Sequence, residues 1–363
     1  MLVYLITFVI SFILAFIGNK QIKGSLRFFF FALSILIPSL LAGFRDETVG
    51  YDILIYAVPC FNTLLDITNI KDLFSFMATS GLEPMYVIFN FIITRFTDDI
   101  FWSFFLQQII VLSLVMITCN RLKNVINVPI IYLSYLLFYF CNSMTSNRQV
   151  FAVAIVFFSF YYIIRNDLKK FIICIAVATL FHNSAIFTIL IFYIYRYAVN
   201  IKGKIDFIKL SYIIVIGFLF YVFFPVIINF LITNGLINSK YERYMNAEYN
   251  FHKIDILIML LMYLITFFNK KLPAYNNVLK LFIITAIFIN LCGQYNDVAT
   301  RMAIYFNLFI FINISRLASN SYNGKAIMKY LLILLFVQYL YLAYTTGFSE
   351  AIPYTSKELG FYK

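Results

Sequence analysis

Long apolar stretches separated by short polar connections account for most of the chain. A helix needs about 20 apolar residues to cross a hydrocarbon core of roughly 30 Å, and several stretches are shorter than that. Short stretches are typical of helices that extend into flanking residues, or of broken helices beside a cavity. The pattern predicts an all-α, polytopic membrane protein with about 12 transmembrane helices. The stretches are 1–17, 28–42, 100–118, 128–141, 150–164, 171–181, 184–195, 207–231, 255–268, 281–292, 302–314 and 330–344.

The basic residues indicate how these helices are oriented. Cytoplasmic loops of membrane proteins are enriched in lysine and arginine, so the cluster Lys20, Lys23 and Arg27 places the first connection in the cytoplasm. Continuing this assignment puts most of the 28 basic residues inside, but only Asp167 and Asp206 of the 16 acidic ones. The remaining acids, and the polar clusters among them, are therefore predicted to face outward.

A further apolar stretch, 84–96, does not fit a regular alternation of crossings. Arg121 and Lys123 reach the cytoplasm only if this stretch fails to cross fully, so we expect a re-entrant or interfacial segment. Apolar residues also recur at helical spacing between Asp52 and Gly81, which is typical of an amphipathic surface helix. The expected organisation is one membrane-embedded domain, residues 1–363. Within it we expect an external amphipathic and re-entrant region at 43–99 and an external loop at 232–254.

Composition excludes several other classes. With 63% hydrophobic residues and a mean hydropathy of +0.89, the chain cannot coat a soluble globule with polar surface. The formal net charge of +12 comes from short clusters between apolar runs, so no nucleic-acid partner is expected. Five cysteines without CxxC spacing indicate neither a disulfide framework nor a metal site, and two histidines without HxxH or HExxH spacing argue against catalytic zinc.

The most unusual charged run lies between Leu41 and Tyr56, where Arg45, Asp46, Glu47 and Asp52 directly follow an apolar stretch. Ionisable groups at the edge of a bilayer tend to face a water-filled cavity, to pair with one another or to hold a charged ligand. We expect this loop to open an active cavity. Other polar clusters on the predicted outer side should contribute to it, namely 83–86, 147–149, 182–184, 240–244 and 297–301.

Four arginines on the predicted outer side are candidates for binding phosphate or pyrophosphate. A guanidinium keeps its charge and offers a planar set of donors that matches phosphate oxygens. The alternative is that an arginine pairs with a neighbouring acid, as for Arg45, Arg243 and Arg301. Arg148 has no acid nearby in sequence and begins an apolar helix whose dipole would also favour an anion, so it is the first candidate.

Three residues are candidates for a general base. His182 lies at an expected break between two half-helices and has a suitable side chain, although a structural hydrogen bond at the junction would explain it equally well. Asp52 and Glu83 could activate a sugar hydroxyl; alternatively, Asp52 pairs with Arg45, and Glu83 complements the start of the helix at Pro84. Nearby tyrosines are interfacial anchors or sugar contacts, namely Tyr56, Tyr86, Tyr241, Tyr244 and Tyr305.

The ordered set GFRDETVGYDILIY, EPMYVIFN, NRQVFAVAIVFF, LFHNSAI, KYERY, ATRMAIYF and IPY resembles the EpsG-like family of Wzy-type polysaccharide polymerases, which are membrane glycosyltransferases of the GT-C kind. One departure is Met85, where the family usually has glycine. By this resemblance, the functional positions of the family's motifs correspond in this chain to Arg45, Asp52, Glu83, Tyr86, Arg148, Gln149, His182, Arg301 and Tyr305.

The resemblance implies polymerisation of undecaprenyl-diphosphate-linked repeat units at the outer face of the bacterial inner membrane. Donor and acceptor would both be lipid-linked glycans, with a chain-length regulator as a further partner. No cofactor is expected, and the absence of clustered carboxylates favours a metal-independent mechanism. The alternatives are a flippase for the same lipid-linked glycan and another GT-C enzyme such as an O-antigen ligase. The first requires polar groups near the midplane and on both sides, and the second usually has a larger external loop.

Overall fold

The computed structural model describes residues 1–124, 126–190, 192, 197, 207–235, 257, 260–261, 275–292, 297–309, 311–312, 315 and 322–362. Regular structure in these ranges is helical, apart from an isolated bridge between Ser356 and Phe361. The predicted all-α class is confirmed, and the protein is a multi-pass membrane protein by its helix composition. Seven helices among the described residues are long and apolar enough to span a bilayer. These are Leu2–Lys20, Gly24–Gly43, Phe101–Arg121, Val128–Thr145, Asn147–Ile164, Ser211–Thr233 and Met328–Thr345.

The predicted number of about 12 crossings is not shown by these ranges. Most of stretch 255–268 lies outside the described residues. Stretch 171–181 forms a helix of 14 residues, Leu168–Phe181, which is about 21 Å long at 1.5 Å per residue. Stretch 281–292 belongs to Tyr275–Cys292, whose described apolar part, Phe282–Cys292, is also shorter than a full span.

The described helices are numbered in chain order: α1 Leu2–Lys20, α2 Gly24–Gly43, α3 Val58–Asp66, α4 Ile70–Thr79, α5 Pro84–Thr94, α6 Phe101–Arg121, α7 Val128–Tyr135, α8 Cys141–Thr145, α9 Asn147–Ile164, α10 Leu168–Phe181, α11 Phe207–Thr233, α12 Tyr275–Cys292, α13 Asp297–Asn307, α14 Tyr322–Thr345 and α15 Gly347–Glu350. Two π-helical turns, Ile53–Ala57 and Leu136–Phe140, and one 3-10 helix, Asn183–Thr188, complete the set.

Backbone contacts divide the chain into two compact units. The first contains Met1–Arg165, Lys169–Ile186 and Ile314–Lys363, and the second contains Asn166–Leu168 and Phe187–Asn313. In the second unit, Phe224 of α11 packs with Cys292 and Ala299. The predicted external loop 232–254 begins where α11 ends at Thr233, and its residues 236–254 lie outside the described ranges.

Local sequence signals set the starts of several helices in the first unit. Pro84 and Pro129 occupy the first turns of α5 and α7, where the missing N–H costs no hydrogen bond. Asn69 precedes α4, and its side chain accepts a hydrogen bond from the backbone N–H of Asp72 at 2.8 Å. The amphipathic pattern after Asp52 thus includes a helix, in which Leu73 is buried while most other side chains are exposed.

The centre of the first unit is the continuous helical segment Val128–Thr145, of which 83% is buried. It packs against α1, α6, α9 and α14. Aromatic rings lie at its contact with α1, and a ring of α1 in turn meets one of α14. Phe140 meets the ring of Phe8 edge-on at 5.4 Å between centroids, and Phe8 meets Tyr339 at 6.0 Å. The hydroxyl of Tyr132 donates to the carbonyl of Ser34 at 2.8 Å, which ties this segment to α2.

The shortness of helix α5 explains why stretch 84–96 does not fit a regular alternation of membrane crossings. Its 11 residues extend about 16 Å, which is half of a bilayer core. The length agrees with a segment that does not cross fully. Glu83 at its start becomes part of a polar group at one end of the first unit.

Candidate active site

Glu83, Arg148 and His182 come together from three separate parts of the chain. Nη1 of Arg148 lies 2.8 Å from Oε2 of Glu83, and Nδ1 of His182 lies 3.6 Å from Oε1 of the same carboxylate. Each carboxylate oxygen therefore faces one partner. All three residues belong to the first unit.

Helix ends position all three side chains. Arg148 is in the first turn of α9, Glu83 immediately precedes α5, and His182 immediately follows α10. The predicted break at His182 is confirmed, because α10 ends at Phe181 and a 3-10 helix begins at Asn183. Glu83 makes no side-chain capping bond to α5, so its carboxylate serves the ion pair rather than the helix start.

Arg148 has no acidic neighbour in sequence, but the fold supplies one. Glu83, 65 residues away in sequence, is its partner. The carboxylate is only 5% exposed, whereas Arg148 and His182 are 19% and 20% exposed. Arg148 is thus compensated when no substrate is bound, but enough of its side chain remains accessible to contact a ligand.

Two of the predicted tyrosines surround this ion pair. The ring of Tyr56 lies under the guanidinium of Arg148, with 4.5 Å between the guanidinium carbon and the ring centroid. Tyr86, in the first turn of α5, is 1% exposed and interacts electrostatically with Arg148 and Arg45. The burial of its ring favours a supporting role over the expected stacking on a sugar.

Arg45 lies in a more dehydrated setting than Arg148. It is 5% exposed, Nη2 donates to Oδ1 of Asn147 at 3.2 Å, and the guanidinium lies 4.1 Å from the centre of the Phe104 ring. Ion pairs between described residues do not include Arg45, so the expected alternative of an Asp46 or Asp52 partner is not found. Burial lowers the pKa of Arg45 to about 10, and the side chain remains cationic at neutral pH.

The sequence analysis overlooked Gln107, which supports the acceptor of Arg45, and its neighbour Gln108. Oδ1 of Asn147 also accepts a hydrogen bond from Nε2 of Gln107 at 3.0 Å, and Nε2 of Gln108 donates to the hydroxyl of Ser143 at 2.8 Å. The available signal was the adjacent pair Gln107 and Gln108 inside an apolar stretch, since buried amides in a membrane helix require partners.

The protonation of His182 depends on which neighbour its Nδ1 contacts. The backbone N–H of Ser184 donates toward Nδ1 at 3.4 Å, which requires an unprotonated Nδ1. In the other tautomer, Nδ1–H faces Glu83 at 3.6 Å and leaves Nε2 unprotonated. Only this second tautomer presents a basic nitrogen on the side of the ring opposite Glu83.

The remaining predicted residues fall into three groups. Asp52 precedes the π-helical turn that carries Tyr56, and Gln149 is buried in the first turn of α9. Arg301 and Tyr305 lie on α13 in the second unit. The predicted residues outside the described ranges are Tyr241, Arg243 and Tyr244.

The site therefore combines two cationic groups with a histidine and a carboxylate at one end of the first unit. Such an arrangement can stabilise negative charge on a leaving phosphate while a neighbouring base accepts a proton. At the opposite ends of α6 and α9, Arg121 and Arg165 contact the tyrosines Tyr162 and Tyr161. The cationic residues at that end match the positive-inside pattern.

Comparison with known proteins gives one family. The model of the EpsG family matches residues 28–356, a range that includes Arg45, Glu83, Arg148 and His182. No curated protein and no solved structure matches the chain significantly.

Proposed function

The chain belongs to the EpsG family, which is associated with exopolysaccharide biosynthesis, and from this premise we propose that it polymerises undecaprenyl-diphosphate-linked oligosaccharide repeat units. The reaction is glycosyl transfer at the outer face of the bacterial inner membrane. A hydroxyl of the acceptor unit attacks C1 of the donor glycan, and the bond between C1 and the diphosphate oxygen breaks. The products are a longer lipid-linked glycan and undecaprenyl diphosphate.

The observation that carries the proposal is the convergence of Glu83, Arg148 and His182. Ionisable residues beside a bilayer are costly to retain, and these three come from helix ends far apart in sequence. A purely structural role would be served by the ion pair alone. It would require neither His182 at the second carboxylate oxygen nor partial exposure of both partners of the carboxylate.

Arg148 is assigned to the departing diphosphate, together with Arg45. Charge develops on the bridging oxygen as the glycosidic bond breaks, and fixed guanidinium donors stabilise that charge. Arg301 and Arg243 remain candidates for the same ligand. Tyr56, Tyr241 and Tyr244 are proposed substrate contacts, whereas the burial of Tyr305 and Gln149, which are 2% and 3% exposed, favours a supporting role for both, as for Tyr86.

His182 is assigned as the general base, and Glu83 orients it. The carboxylate favours the tautomer in which Nδ1 carries the proton, so Nε2 can accept the proton of the attacking hydroxyl. The separation of 3.6 Å between Nδ1 and Oε1 is long for a hydrogen bond, and such contacts often tighten when substrate binds. Asp52 is the alternative base.

The test combines deletion of the gene with complementation and gel analysis of the glycan. Arg148→Ala is expected to leave single repeat units on the lipid, because losing a transition-state anion contact reduces turnover by about 100-fold or more. Arg165→Ala, at the other end of the same helix and exposed, should restore a normal ladder. Normal ladders from Arg148→Ala would contradict the assignment.

Loss of folding is separated from loss of chemistry by a double variant. Arg148→Ala alone leaves the buried Glu83 carboxylate unpaired, which is destabilising. Combining it with Glu83→Gln removes both charges, so membrane insertion and thermal stability should recover while polymerisation remains absent. Single units on the lipid distinguish a polymerase from a flippase, whose loss prevents repeat units from reaching the outer face.

A further inference from the structure

The segment Gly347–Phe361, called here the 347–361 segment, is folded onto the loop that carries Arg45. In the structure, Ala351, Thr355 and Ser356 are buried, and Tyr354 is 6% exposed. The segment is therefore a packed part of the first unit.

Four hydrogen bonds that involve backbone groups attach this segment to its surroundings. The hydroxyl of Tyr4 donates to the carbonyl of Ala351 at 2.7 Å, which anchors the segment to α1. Three further bonds reach the loop around Arg45. The backbone N–H of Gly50 donates to the carbonyl of Glu350 at 3.1 Å, and the N–H of Asp46 donates to the carbonyl of Thr355 at 3.0 Å. In the opposite direction, the N–H of Lys357 donates to Oδ1 of Asp46 at 3.0 Å.

Tyr354 contacts the C-terminal end of α2, where this loop begins. Its hydroxyl donates to the carbonyl of Leu41 at 2.9 Å. Leu41 is in the last turn of α2, where carbonyl groups lack intrahelical partners. Tyr354 therefore fixes the end of the helix from which Arg45 emerges, and the ring of Tyr4 packs against it edge-on at 5.6 Å between centroids.

Arg45 is the group that needs such support. Its Nε and Nη1 are buried without a hydrogen-bond partner, and among the described residues its guanidinium donates only to Oδ1 of Asn147. A buried cation without a compensating carboxylate is costly, and its unused donors suit an anion. Its usefulness depends on rigid placement, because a loop that relaxed would let the guanidinium turn toward water.

We infer that the 347–361 segment is a positioning element of the anion site, and that Tyr354 fixes Arg45 for the diphosphate of the lipid-linked donor. The inference rests on the proposed function for the identity of that anion. Tyr354 acts through α2 and the loop, so it is a positioning residue rather than a catalytic one.

The experiment measures binding of inorganic pyrophosphate to the full-length protein in nanodiscs. Tyr354→Phe removes only the hydroxyl, and we expect pyrophosphate affinity to fall by about three- to tenfold, the scale of one lost hydrogen bond. Tyr4→Phe, which removes the second anchor, should act in the same direction. Tyr362→Phe is the matched control, because Tyr362 is 75% exposed, and its affinity should equal that of the unaltered protein.

Thermal unfolding without ligand gives the second readout. A Tyr354→Phe protein with a lowered melting temperature and unchanged pyrophosphate affinity would show a structural role only and would overturn the inference. Arg45→Lys provides the distinction from the proposed function. If Arg45→Lys loses pyrophosphate binding while Tyr354→Phe and Tyr4→Phe retain it, the inference fails and the diphosphate site stands. If the unaltered protein does not bind pyrophosphate, both fail.

Discussion

At the scale of single residues, the carboxylate of Glu83 is the buried centre of a polar group and has Arg148 and His182 as its two partners. Burying a carboxylate that is 5% exposed is costly unless cationic donors compensate it. Arg148 supplies that compensation, and Glu83 in turn can stabilise a protonated His182. A diphosphate arriving at Arg148 would compete with Glu83 for the same donors, which links substrate binding to the environment of the proposed base.

The pH dependence of activity tests the role of His182. A base must be unprotonated, so polymerisation should decline as acid protonates the imidazole, and His182→Gln should lose about 100-fold or more of the activity. An active His182→Gln protein with an unchanged acid limb would move the base role to Asp52.

At the scale of elements, helix ends place the residues of the site, and the loops between the helices fix how accurately those residues are positioned. The loop from Phe44 to Asp52 is confined by the 347–361 segment on one side and by α8 on another. Gly50 has a φ of +111°, and a Cβ there would lie 3.0 Å from the carbonyl oxygen of Met144 and 3.2 Å from Cα of Thr145. Only glycine meets both the conformational and the steric requirement.

Substitution of this glycine tests whether the loop must keep its path. Gly50→Ala should lower stability by about 1–3 kcal/mol, through backbone strain and the close approach of α8, and should reduce polymerisation. Gly81→Ala is the control, because Gly81 also has positive φ, +67°, but open space around its Cβ position. Thermal unfolding and glycan ladders are the measurements. Equal behaviour of the two variants would show that close packing at Gly50 is unimportant.

The comparison between sequence and structure is most informative at these elements. Sequence patterns predicted that Arg45, Glu83, Arg148 and His182 lie at one side of the helices, and the four residues share the first unit. The outward orientation of that side stays a prediction. The partner of Arg148 could not be predicted, because an ion pair across 65 residues depends on tertiary packing. The packing of the 347–361 segment could not be predicted either, although its IPY run belongs to the motif set, because backbone hydrogen bonds leave little pattern in the side-chain sequence.

At the scale of the whole molecule, charge is separated between the two ends of the first unit. Arg45, Glu83, Arg148 and His182 are associated with one set of helix ends, and Arg121 and Arg165 with the opposite ends of α6 and α9. The positive-inside rule assigns the second set to the cytoplasm. The proposed site then opens outward, where polymerisation would take place.

Labelling of introduced cysteines tests this orientation. In a background without the five native cysteines, Glu47→Cys should react with a membrane-impermeant reagent in intact cells. Lys123→Cys should react only after permeabilisation. Both positions are exposed. We expect Arg301→Cys to behave as Glu47→Cys does, and opposite sidedness would remove Arg301 from a shared site with Arg45 and Arg148.

The most direct measurement of the central claim is a reconstituted reaction. Purified protein in liposomes would be supplied with a single undecaprenyl-diphosphate-linked repeat unit, and both glycan length and free undecaprenyl diphosphate would be quantified. The account predicts longer lipid-linked glycans, with one undecaprenyl diphosphate released for each linkage formed, and loss of both products in Arg148→Ala. Movement of the unit across the bilayer without new linkages or released undecaprenyl diphosphate would contradict it.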